Sequence, residues 1–202
     1  MRRSAMSDRR IAALAALAAL VLAGAPAAAL QQGSPASPAD PAGSLECVTS
    51  PFSEADARVL GEAYVAVKSG HPERAPPARR ELPVRLQAQL AECGRRHGLD
   101  GPRIAGQEVY AMAELMRRGM GEALRASGAD TARIETVAAH FSLEEVTARP
   151  EDGFQRRARS ELAAAAVPAA QLNLAIDYVR FVRMAAGLGG AWLAGHPILP
   201  PR

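Results

Sequence analysis

Lysine is almost missing from this sequence: of the 24 basic residues in 202, only Lys68 is not an arginine. Aromatic side chains are nearly as scarce, with four Phe, three Tyr and one Trp. A core built from such a chain must be Ala- and Leu-rich, and each small side chain releases little free energy on burial. The two cysteines form no C-x-x-C pair, which argues against dithiol catalysis and haem attachment. No H-E-x-x-H or paired-histidine spacing points to zinc. No G-x-S-x-G elbow, P-loop, dinucleotide glycine pattern or D-x-D-x-D-G calcium loop is present. Sustained alternation of apolar and polar residues is also missing, which excludes a β architecture. No unit repeats at a fixed period, which excludes a solenoid. An enzyme is not excluded by missing motifs, since catalytic groups need only meet in space.

What is present begins with an export signal. Arg2, Arg3, Arg9 and Arg10 precede a 13-residue apolar run over 11–23, too short to span a bilayer comfortably. Ala27-Ala28-Ala29 supplies small residues for a signal peptidase, so residues 1–29 read as a signal peptide and the mature chain begins at Leu30. No cysteine follows the run closely enough for a lipid anchor. Arg9-Arg10 raises the twin-arginine route beside the general secretory one, although the rest of that motif is missing. Retention of the segment as an anchor is the alternative to cleavage. The expected location is periplasmic or secreted, with no stable membrane span after cleavage. The formal net charge of +3 comes from this segment, whose four arginines face one aspartate. The mature chain is then neutral, and nothing supports a nucleic-acid footprint.

Residues 30–45 are rich in Pro, Ala, Ser and Gly and read as a disordered tether. Helical periodicity then runs from 46 to 187, followed by an apolar tail over 188–202. The expected fold class is all-α, a single bundle of roughly five to seven helices. Its centre is the stretch 82–124, two helices joined by a tight corner. Leu82, Leu86, Leu90 and Cys93 make one apolar stripe. Gly98 suits a left-handed helix end, with Leu99 folding back toward Cys93, and Asp100 caps the next helix. Val109, Met112, Met116, Met120 and Leu124 then share a face, with Gly128 as the stop. Ser53 with Asp56, and Ser142 with Glu145, have capping-box spacing, and Asp130 caps a helix between them. Pro168 interrupts or begins a helix, and Gly187, Gly189 and Gly190 read as the end of the last one.

Few residues suggest chemistry. Cys47 and Cys93 in an exported chain point to a disulfide pinning the N-terminal arm to the central hairpin. Closing that loop contributes on the order of 4 kcal/mol in the chain-entropy account. Met112, Met116 and Met120 form a ladder at i, i+4 and i+8. Thioethers are soft ligands for Cu(I), but methionines at helical spacing ordinarily fill core gaps. His71, His97, His140 and His196 are scattered, and His97 sits where a helix C-terminus favours a cation. Arg156, Arg157 and Arg159 read as a solvated face, and Glu114 with Arg118 as an i,i+4 pair. No catalytic residue, cofactor or nucleic-acid partner is indicated. The functional expectation is an exported helical module that binds, in the simplest case a periplasmic protein partner, or is structural, and does not catalyse. The alternatives are a copper protein using the methionine ladder and an enzyme whose site shows no motif.

Overall fold

The computed structural model describes residues 40–148 and 152–196, all within one compact unit. The expected signal peptide, most of the expected tether and the last residues of the expected tail lie outside the described residues. Every regular element among the described residues is helical. In chain order they are α1 (Pro41–Thr49), α2 (Glu54–Lys68), α3 (Leu82–His97), α4 (Gly101–Ala126), α5 (Thr131–Ala138), α6 (Leu143–Thr147), α7 (Asp152–Ala164) and α8 (Leu172–Leu193). Short 3-10 turns at Pro72–Arg74, Pro77–Arg80 and Ala169–Gln171 make the stiff connections.

The helix boundaries follow local chemistry. Ser53 and Asp56 exchange hydrogen bonds as a capping box, as do Ser142 and Glu145. Asp100 and Asp130 each accept a backbone N–H three residues on. Gly98 closes α3 at φ 63°, and Gly128 follows α4 at φ 84°. Leu99 does not turn back on Cys93 as expected; it packs with Leu45, Leu188, Trp192 and Ile104.

α4 is the axis of the described unit, with α2 on one side and α8 on another. Two cores share it. Val48, Phe52, Leu86, Leu90, Cys93 and Leu115 fill the space among α1 to α4. Met120, Leu124, Ile134, Phe141, Leu162 and Tyr178 fill the space among α4, α5, α7, α8 and the α5–α6 corner. The rings of Phe141 and Phe154 meet edge to face at 5.4 Å and tie that corner to α7. No described helix is long and apolar enough to cross a membrane.

Several sequence expectations need correction. The helix count among the described residues is eight, above the expected range, because α1 lies partly inside the stretch read as tether. The Asp40 side chain caps α1 through the Gly43 N–H, and Leu45, Cys47 and Val48 are buried against the domain. Tertiary packing therefore orders a segment whose composition reads as coil. The tail is likewise shorter than expected, since α8 continues through Gly187, Gly189 and Gly190 to Leu193. Those glycines do not stop the helix because two of them serve packing. A Cβ on Gly187 would stand 3.0 Å from Leu143 Cβ, and one on Gly189 would stand 3.0 Å from the Tyr110 ring. Glu114 pairs with Arg117, not with Arg118, whose guanidinium turns to Glu54 and the Phe52 carbonyl.

Candidate functional site

The structure brings Cys47 and Cys93 together. Their sulfurs stand 2.07 Å apart, at disulfide distance, with Cα atoms separated by 5.9 Å. α1 places the first on its inner face and α3 the second, among Val48, Leu86 and Leu90. The side-chain amide of Gln89 lies beside the pair, donating to the Cys47 carbonyl at 2.8 Å and to Cys93 Sγ at 3.3 Å.

The methionine ladder is distributed between the two cores. Met116 and Met120 are buried in one, and Met112 is half-buried against the other. None of the three lines the groove described next.

That groove lies between α5 and α7, is open to solvent and has a volume of about 570 Å³. Val137, Ala132, Ala164 and Ala165 form its apolar lining; Asp130, Arg133, Thr136, His140 and Glu161 supply its polar groups. Small side chains on both helices leave the space open. Arg133 donates to the Ala165 carbonyl at 3.2 Å and stands 3.6 Å from Asp130, so one end is braced across the two helices. At the other end His140 Nδ1 lies 2.7 Å from Glu161 Oε2, and Arg157 Nε donates to Glu161 Oε1 at 2.8 Å. Arg157 also reaches the His140 carbonyl at 3.0 Å, pairs with Glu145, and lies over the Phe141 ring at 4.6 Å. The hydrogen bond from His140, reinforced by Arg157, holds the Glu161 carboxyl below its ordinary value.

Thr136 is the one hydroxyl lining this groove, and it donates to the Ala132 carbonyl of its own helix at 3.1 Å. His71 pairs with Glu73, and His97 ends α3 as expected. Among the described residues no group of three His, Cys, Asp or Glu side chains converges on a site that could hold a metal ion. Sequence reasoning missed the His140–Glu161 contact: the two residues are 21 apart and on different elements, beyond the reach of helical spacing. The Arg157–Glu161 half of the network has i,i+4 spacing, but Arg157 was read only as part of a solvated face.

A second polar cluster lies deeper. Tyr178 donates to Glu135 at 2.5 Å and its ring lies against Gly121. Burial, then the neighbouring carboxylate, pushes the phenol well above its ordinary value, so it stays a donor. The cluster joins α4, α5 and α8.

No protein-family model, no curated protein and no solved structure matches the chain.

Proposed function

We propose that this chain is an exported helical module that acts by binding a partner rather than by catalysis, with the α5–α7 groove as its contact surface. The observation that carries the reading is the groove itself: an apolar floor of Val137 and alanines with polar groups fixed at both ends. Such a surface suits one or two apolar side chains of a protein partner, with Arg133 at one end and the His140–Glu161 pair at the other to orient them. Export is supported by the N-terminal segment and by the cysteine pair at bonding distance, which an oxidising compartment favours.

A photo-crosslinking residue at Thr136, with another at exposed Ala88 on α3 as reference, tests the reading in the exporting cell. The expected result is a discrete cross-linked species from position 136 and none from 88. The exported chain should have the intact mass of a chain beginning at Leu30. Equal labelling at both positions, or none, would overturn the groove as a contact surface. Full-length protein in the membrane fraction would replace cleavage with an anchor.

A further inference from the structure

α1 is fastened to the domain at its two ends by different means. Near its start, Trp192 Nε1 donates to Ser44 Oγ at 2.9 Å and to the Pro41 carbonyl at 3.1 Å. The Gln107 amide donates to the Ser44 carbonyl at 3.0 Å from a fully buried position. Near its end, the cysteine pair ties it to α3. The other amide atom of Gln107, Oε1, has no partner within the protein.

The cysteine pair is also unevenly presented. Cys47 retains 8% of its surface, whereas Cys93 retains none. Cys47 is thus the residue of the pair nearer solvent, and attack of an external thiolate at its Sγ would expel the Cys93 sulfur. That sulfur already faces the Gln89 N–H at 3.3 Å, and such a donor favours a departing thiolate.

We propose that α1 is a redox-released strap: reduction of the Cys47–Cys93 bond by an external dithiol frees it and uncovers the apolar surface beneath. In the first step a thiolate of the dithiol bonds to Cys47 Sγ, the S–S bond breaks, and Cys93 leaves as a thiolate that takes up a proton. In the second step the remaining thiol attacks the mixed disulfide, and Cys47 is released and protonated. Two electrons and two protons pass to the protein, and the dithiol becomes a disulfide. The surface uncovered comprises Leu86, Leu90, Leu99, Leu188 and Trp192, against which Leu45, Cys47 and Val48 now pack. The inference does not depend on the α5–α7 groove.

Hydrogen exchange on the oxidised full chain, with and without dithiothreitol, tests it, and Trp192 as the sole tryptophan gives a second readout. The expected result is exchange of the α1 amides faster by about tenfold or more, α4 protection unchanged, and a red shift of tryptophan emission. Gln89→Leu should be reduced several-fold more slowly. The double variant Cys47→Ala, Cys93→Ala should show the released state without reductant. Retained α1 protection after reduction would overturn the strap. So would joint loss of protection in α1, α4 and α8, or failure of the double variant to fold, since either makes the bond a global staple. Resistance of the native pair to dithiothreitol would overturn the exchange route.

Discussion

Gly61 and Gly119 bring α2 and α4 together backbone against backbone. A Cβ on Gly119 would stand 1.9 Å from the Ala57 carbonyl oxygen and 2.9 Å from the Gly61 nitrogen. A Cβ on Gly61 would stand 2.5 Å from the Gly119 carbonyl. No side-chain rearrangement relieves contacts with backbone, so any residue but glycine must push the helices apart. Gly119→Ala should therefore destabilise by about 3 kcal/mol or more, at the high end for overpacking. Gly190 on α8 has nothing within 4 Å, so Gly190→Ala should stabilise by about 0.5–1 kcal/mol through helix propensity alone. Denaturant unfolding of the two variants checks both signs. A Gly119→Ala protein as stable as wild type would mean that the helices do not approach this closely.

The α3–α4 corner gives a second prediction. Gly98 holds φ 63° and ψ 38°, with open space where a Cβ would lie. The cost of a side chain there is backbone strain without a clash. Gly98→Val should lose about 1 kcal/mol or more, whereas Gly98→Asn should lose less, because asparagine tolerates the left-handed region. Equal thermal midpoints for all three proteins would show that the corner does not need this conformation.

These two glycine positions show where sequence reasoning reaches and where it stops. The role of Gly98 was legible because a helix end is written locally, in the residues on either side. The same holds for Ser53 with Asp56, Ser142 with Glu145, and the caps Asp100 and Asp130. Gly119 was not legible, because only the approach of α2 gives it meaning. Gly187 and Gly189 were misread for the same reason: a packing glycine and a stopping glycine look alike until the neighbouring helix is in place. α1 was missed because its order comes from partners distant in sequence: Cys93, 46 residues from Cys47, and Gln107 and Trp192, more than 60 residues away. The cysteine pair was legible through compartment chemistry and the Cys93 stripe, whereas the groove joins residues of α5 and α7 that no periodicity links.

The Asp56–Arg85 pair gives a pH prediction. Arg85 donates to Asp56 at 2.6 and 3.2 Å across α2 and α3, and the Ser53 backbone N–H donates at 2.9 Å. The hydrogen bond from Arg85, then that from Ser53, outweighs burial and holds the carboxyl at about 2. A carboxyl depressed in the folded state contributes stability that is fully present above its unfolded value of about 3.9. That contribution is lost as the pH falls through about 2. Asp56→Asn should therefore be less stable than wild type near neutrality by about 1 kcal/mol, after allowing for solvent screening of an exposed arginine. The gap should close as acid protonates the wild-type carboxyl. Urea unfolding of both proteins at several pH values reads the difference directly, and a gap independent of pH would remove the charge from the account.

The methionine ladder separates the packing role from the copper alternative. Met116 and Met120 are buried among Leu124, Ile134 and Val179, and Met112 packs on the opposite core beside Leu115. Side chains fitted into two different cores would have to be withdrawn from both to meet at one ion. Met116→Ala should consequently cost roughly 2–5 kcal/mol by leaving a cavity. Met116→Leu should stay within about 1.5 kcal/mol of wild type, because it restores apolar volume without the thioether. Competition with a Cu(I) chelator then tests the alternative independently of stability. If packing is the role, wild type and Met116→Leu withdraw copper from the chelator equally poorly. If wild type competes and the leucine variant does not, the thioether is a ligand, and α4 must open one of its two cores to present it.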